Sequence, residues 1–220
     1  MNQEKLLTYQ PVAGLLPRPS AGTPAKTIAL PAPDMTTGLP LMGALWQRHS
    51  TREFGTEALS LHRLGELLWA ANGINRAAAG GHTAPSAHGI HEIDVYAALP
   101  GGLYRYDPQQ HCLLLKRDID ARGLTGYQDF VKEAALDLVY VVNHGRMTGM
   151  PRQQQDVFSG VAAGAIAQNV YLYCASSGLA TVVRGWLNQR QLAEAMSLNE
   201  DEVPVLAQSV GFPAAGGAAQ

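Results

Sequence analysis

Ile93-Asp-Val-Tyr-Ala-Ala-Leu99, Gly101-Gly102, Leu103-Tyr-Arg-Tyr106, Asp107-Pro108 and Cys112-Leu-Leu-Leu115 make up the stretch on which the architecture turns. Ile93, Val95, Ala97 and Leu99 alternate with Asp94, Tyr96 and Ala98, which is the period of a strand. Gly101-Gly102 then turns the chain into residues 103–106, and Asp107-Pro108 turns it again into residues 112–115. The result is an antiparallel meander. Downstream, residues 138–142 form a continuous apolar run, the pattern of a central strand covered on both faces.

Helical periods flank this meander. Leu41, Ala44 and Leu45 recur at helical spacing up to Arg48, and a second helix carries Leu61, Leu64, Leu67 and Leu68 on one face, with Ser60 as N-cap and Asn72-Gly73 as its stop. Residues 125–135 read as a short helix, and residues 153–177 as the longest one, ended by Gly178. In that long helix Gly160, Gly164 and Ala167 place small side chains where another helix can approach the backbone. Residues 179–187 read as a strand, 189–196 as a helix and 203–210 as the last strand. Without strict βαβ alternation the order defines an α+β fold, a mixed or antiparallel central sheet flanked by helices. The domain division is an extended, proline-rich arm over residues 1–40, one folded domain over 41–213, and a flexible tail over 214–220.

The 220 residues, 46% hydrophobic and 15% charged, suit one globular domain. Sixteen Lys+Arg against eighteen Asp+Glu leave a net charge of −2, so there is no basic excess for a nucleic-acid backbone. Cys112 and Cys174 stand far apart and read as two buried thiols rather than a disulfide framework. The first ten residues lack the apolar core of a signal peptide, and no stretch reads as a membrane span, so the expectation is a cytoplasmic protein with no membrane partner. No GxGxxG follows a strand, and no P-loop, GxSxG elbow or HExxH is present.

The densest polar cluster is Arg48-His49-Ser50-Thr51-Arg52. Two guanidiniums and two hydroxyls suit a phosphate monoester, while the competing reading is that cations at a helix C-terminus complement its dipole. A second cluster, Gly80-Gly81-His82-Thr83-Ala84-Pro85-Ser86-Ala87-His88-Gly89, is a loop whose glycines let a flat ligand approach and whose Ser86 and amides can bond its edge. A metal held by His82, His88 and His91 is the weaker alternative, for lack of a carboxylate framework. No metal site is assigned.

These residues resemble the nitroreductase-like FMN flavoproteins. The resemblance rests on Arg48-His49-Ser50-Thr51-Arg52-Glu53-Phe54 after the first helix, and on Leu67-Leu68-Trp69-Ala70-Ala71-Asn72-Gly73-Ile74-Asn75-Arg76. It extends through Ala84-Pro85-Ser86-Ala87, the helix closing at Ser177-Gly178-Leu179, and Val210-Gly211-Phe212-Pro213. It covers residues 28–213, in a register similar to the branch containing the SagB-type thiazole/oxazole-forming peptide dehydrogenases. The resemblance implies a homodimer with FMN between the subunits and NAD(P)H as electron donor. It implies that Arg48, Ser50 and Arg52, with His49 alongside, hold the FMN phosphate, ribityl chain and pyrimidine edge. Pro85, Ser86 and Ala87 match a loop reaching the flavin from the partner subunit, and Gln128 stands where relatives have an Asn bonding the flavin. Ser177 and Gly178, with Leu179 following, match positions whose backbone N–H groups face flavin N5 and O4.

Two departures shape the functional expectation. Relatives complete the phosphate clamp with a C-terminal cation, whereas residues 214–220 carry none, and Arg184 is the candidate substitute. Azoline-oxidising members carry a Lys-Tyr pair, and the four lysines here, Lys5, Lys26, Lys116 and Lys132, make no such dipeptide. The expectation is therefore an oxidoreductase passing hydride from NAD(P)H through FMN to a nitroaromatic or quinone-like small-molecule acceptor. Its expected catalytic groups are the Ser177 and Gly178 amides and Arg52. The alternatives are oxidation of a peptide azoline or related small molecule, and a flavin-binding protein with little turnover.

Overall fold

Residues 26–215 are described by a computed structural model. In chain order the elements are β1 (Thr27–Ala29), α1 (Leu41–Gln47), α2 (Leu61–Asn72), β2 (Ile74–Arg76) and β3 (Gly81–His82). The meander follows as β4 (Ile93–Leu99), β5 (Gly102–Asp107) and β6 (Cys112–Arg117). After it come β7 (Leu136–Asn143), α3 (Arg152–Ser177), β8 (Ala180–Arg184), α4 (Gln189–Met196) and β9 (Glu202–Gly211). Seven strands form one sheet in the order β1-β6-β5-β4-β7-β9-β8, and every pairing in it is antiparallel. The α+β expectation holds.

The continuous apolar run becomes β7, an interior strand between β4 and β9. Leu136, Leu138, Tyr140 and Val142 join the core under α2 and α3, while Val139 and Val141 join Leu192 and Met196 of α4 on the opposite face. A strand covered on both faces needs apolar residues on both, and residues 138–142 supply them, with the buried Asp137 beside them as the polar exception. Tyr96 and Ala98 of β4 are fully buried for the same reason.

Ser60 caps α2 by accepting the Arg63 N–H at 3.3 Å. Gly73 ends that helix by a different route from the left-handed turn usual at such glycines. Its φ is −72°, and a Cβ there would collide with the Trp69 ring, so a close approach selects glycine. Gly178 does adopt the left-handed conformation, φ 70°, and closes α3.

Three elements differ from the sequence reading. Residues 125–135 hold no α-helix; a 3₁₀ turn at Arg122–Leu124 precedes them and a second, Asp129–Lys132, lies within them. The Thr125 carbonyl, which a helix would need, accepts Arg184 Nη1 at 2.7 Å, and Gly126 is a weak helix former. Within the arm, Thr27–Ala29 is the edge strand β1, in register with Leu114, Leu113 and Cys112. No proline interrupts residues 25–30, so the backbone donors a strand needs are present there. Residues 1–25 and 216–220, most of the arm and of the tail, lie outside the described residues. The third difference is the β2-β3 hairpin, whose second strand, Gly81–His82, falls within the stretch 80–89 that reads as a loop.

By length and composition α3 is apolar enough to cross a membrane, yet it packs into the core through Ala162, Ala163, Ile166, Ala167, Val170 and Cys174. Its small-residue stripe divides. Ala167 is buried, with its carbonyl accepting Gln208 Nε2, whereas a Cβ at Gly160 or Gly164 would meet open space. Val157 and Val161 on that open face, and Leu41, Met42, Leu45 and Trp46 of the adjoining α1, are exposed.

Candidate functional site

The Arg48–Arg52 segment follows α1 and lies along the outer edge of β8, where the Thr51 N–H donates to the Thr181 carbonyl at 2.9 Å. An edge strand offers unpaired backbone groups, and this segment takes one of them. Ser50 is fixed by Tyr171 of α3: the two hydroxyls are 2.7 Å apart, and the Tyr171 hydroxyl accepts the Val183 N–H at 3.0 Å. Arg48 lies over the same tyrosine, its guanidinium carbon 5.2 Å from the ring centroid. Arg52 is exposed, and His49 Nδ1 donates to the Gln47 carbonyl at 2.7 Å, closing the end of α1. One buried tyrosine thus aligns an arginine and a serine against the end of β8. No sequence motif marks Tyr171, because its role depends on partners 121 and 12 residues away.

Beside that end of β8 lies a buried polar cluster. Arg184, 6% exposed, donates through Nη1 to the Thr125 carbonyl and through Nη2 to Thr125 Oγ1, Asp137 Oδ1 and Ser209 Oγ. Asp137 is fully buried, and burial pushes its carboxyl up to about 6, against the pull of Arg184 and the Ser209 and Thr125 hydroxyls. This geometry engages Arg184, expected as a substitute phosphate cation, within the fold. Both terminal nitrogens are engaged inside the protein, and Asp137 neutralises the charge. Gln128 stands next to it with Oε1 buried and, among the described residues, without a partner, as are Arg184 Nε and Asp137 Oδ2.

Ser177, Gly178 and Leu179 are likewise engaged within the chain. Ser177 belongs to the last turn of α3, whose N–H groups point back into the helix. The Gly178 and Leu179 N–H groups both donate to the Cys174 carbonyl, the latter at 2.9 Å. The helix cap therefore takes the amides that the resemblance assigns to flavin N5 and O4. The Ser177 hydroxyl donates to the Tyr173 carbonyl at 2.7 Å, and its own carbonyl accepts Arg63 Nη1 at 2.9 Å.

The Pro85-Ser86-Ala87 loop leads into β4, three strand spacings from β8 in the sheet, or at least about 14 Å. Within one chain it does not meet the Arg48–Arg52 segment. The Ser86 hydroxyl donates to Glu92 Oε2 at 2.6 Å and accepts the His91 N–H at 2.8 Å, so its proton is directed inward. A cavity of about 640 Å³ opens beside this loop, lined by His82, His88, His91, Arg105 and Arg146 among others. His82 and His91 stack at 3.9 Å, and His82 Nδ1 is 3.0 Å from Asn72 Oδ1. Burial lowers His82 to about 4, so its imidazole is neutral. Among the described residues no group of three His, Cys, Asp or Glu could hold a metal ion.

The chain belongs to the Nitroreductase family, whose model matches residues 45–212. It is 28% identical over 195 residues to the nitroreductase-family protein MJ1384 of Methanocaldococcus jannaschii, covering 84% of this chain and 96% of that one. A nitroreductase-family crystal structure from Ralstonia eutropha JMP134 is 63% identical, with a TM-score of 0.84 over 95% of this chain and 100% of that one. The NADPH:FMN oxidoreductase of Vibrio harveyi, complexed with NAD+, shares the fold at 18% identity, with a TM-score of 0.60 over 82% of this chain and 71% of that one. Family and neighbours support a flavin oxidoreductase in general.

Proposed function

We propose that the protein is an FMN-dependent oxidoreductase that takes electrons from NAD(P)H and passes them to an electron-poor small molecule, a nitroaromatic or a quinone. The observation that carries this reading is the pairing of two features at one end of β8. Arg48, Ser50 and Arg52 form a donor set suited to one phosphate, and the buried, unpartnered Gln128 Oε1 awaits a donor such as the N3–H of an isoalloxazine. These residues fit FMN. When bound, FMN supplies hydride acceptance and release, and the protein supplies position and electrostatics.

Arg48 and Ser50 orient the phosphate end, held by Tyr171. Arg52, exposed beside them, supplies positive charge where the pyrimidine edge gains electron density on reduction. His49 helps to shape the same segment. Pro85, Ser86 and Ala87 are too far from β8 to complete the site in their own chain, which favours a homodimer in which the partner's copy of this loop closes it. The exposed apolar surface of α1 and the open Gly160/Gly164 face of α3 suit that interface. We assign residues 41–213 to the flavin domain and place the chain nearest the SagB-type branch. Without the Lys-Tyr pair, azoline oxidation is not the reaction we assign.

The test is direct. Purified protein should be yellow and release FMN on denaturation, and Arg48→Ala should weaken FMN binding by ~1.5–3 kcal/mol, the scale of a hydrogen bond to a charged group. Without a dinucleotide fingerprint, donor and acceptor should use one pocket in turn, giving parallel double-reciprocal plots. A colourless protein that takes up no FMN overturns the proposal, and intersecting plots overturn the single pocket.

A further inference from the structure

Gly126 lies between the Thr125 that Arg184 binds and Gln128, whose carbonyl has no partner among the described residues, and a side chain on it would have to displace the ends of both Arg184 and Gln128. A Cβ there would collide with Arg184 Nη1 and lie 2.6 Å from Gln128 Oε1. Gly126 lies outside the left-handed region, so close approach, not backbone conformation, selects glycine. Its missing side chain lets the guanidinium and the amide close on the loop from two sides. The Arg184 fork binds the Thr125 carbonyl and hydroxyl, and Asp137 and Ser209 hold the fork in turn. Each hydrogen bond ties the 125–128 loop to the rigid β7-β9-β8 part of the sheet.

We infer that Arg184 and Gly126 form a latch that presents the Gln128 amide to the flavin, with Arg184 acting as a positioning residue rather than a ligand-binding cation. The inference rests on the FMN reading above. Two consequences follow. Loss of the latch leaves Gln128 in place but frees its loop, so flavin affinity falls although no contact residue has changed. And because the latch acts through Gln128, its loss and the loss of Gln128 are one event, not two.

The experiment is a double-mutant cycle on FMN binding to the purified full-length chain. Gln128→Ala and Gly126→Ala should each raise the FMN dissociation constant about tenfold, and the double variant should bind no worse than about twentyfold below wild type. Arg184→Lys keeps a cation beside Asp137 but removes the fork, and should show the same non-additivity with Gln128→Ala. Losses that multiply to about a hundredfold overturn the latch, as do Gly126→Ala and Arg184→Lys variants that bind FMN as tightly as wild type. Hydrogen exchange at residues 125–128 separates this inference from the one it rests on. If wild type binds no FMN, the flavin reading fails, and faster exchange there in Arg184→Lys still shows the loop to be latched. Unchanged exchange overturns the latch whatever FMN does.

Discussion

The two ends of β8 carry comparable numbers of polar groups and use them in opposite ways. At the N-terminal end, the Gly178 and Leu179 amides serve the α3 cap, the Ser177 hydroxyl serves Tyr173, and the Ser177 carbonyl serves Arg63. At the C-terminal end, Gln128 Oε1, Arg184 Nε and Asp137 Oδ2 are buried and have no partner among the described residues. An unmade hydrogen bond in the interior costs about 1–3 kcal/mol, so such atoms persist where something outside the chain can meet them or where strain is tolerated. A resemblance identifies both ends as flavin contacts. Hydrogen-bond capacity divides them: the groups at the first end are spent within the fold, and the second end is where we propose the flavin site.

The largest test of that division is Asp137→Ala. It leaves Arg184 buried and unpaired and should cost about 3–5 kcal/mol in urea unfolding. A loss under about 1 kcal/mol would mean that the cluster is open to water, and the contrast between the two ends would dissolve. The pH dependence sharpens the same point. A carboxyl raised from 3.8 to about 6 in the folded state contributes stability that is complete below 3.8 and is lost as pH rises through about 6. Asp137→Asn should remove that component, flattening the unfolding midpoint between about pH 4 and pH 6; an unchanged slope would assign it to other groups.

A smaller effect is expected at the other end. Gly178→Ala forces a Cβ into the left-handed region at φ 70° and should destabilise by roughly 1–2 kcal/mol, read from thermal unfolding. Flavin affinity should stay within about twofold of wild type. If affinity collapses while the fold survives, the cap takes part in binding and the comparison breaks.

What could be read from the sequence was whatever depends on neighbours a few residues away. The alternation from Ile93 to Leu99, the unbroken apolar run within β7 and the Ser60 cap all signal themselves within one turn or one strand. The Arg48–Arg52 segment is equally legible, because it gathers five polar residues in succession. The rest lies in pairings that no local pattern encodes. Arg184 meets Asp137 across 47 residues and Thr125 across 59, and Ser50 meets Tyr171 across 121. Reading Arg184 as a free cation was natural, since only the fold shows that Asp137 neutralises it. Gly73 and Gly126 are glycines for the sake of the Trp69 ring and of Arg184. Space, unlike periodicity, leaves no trace in a single sequence.

The finest distinction concerns Ser177. Its hydroxyl donates to the carbonyl four residues back in its own helix, a bond that contributes little because the helix is complete without it. Ser177→Ala should therefore shift stability by no more than about 0.5 kcal/mol, the usual range for a change that opens no cavity and strands no buried group. The backbone carbonyl remains, so Arg63 keeps its partner and the end of α3 keeps its course. A residue with only this structural duty cannot favour one redox state of a flavin over another. The midpoint potential of the bound flavin should be the same in both proteins. A change of about 30 mV, equivalent to about 1.4 kcal/mol for a two-electron couple, would bring the serine to the reacting ring and undo the assignment of this end of β8 as structural.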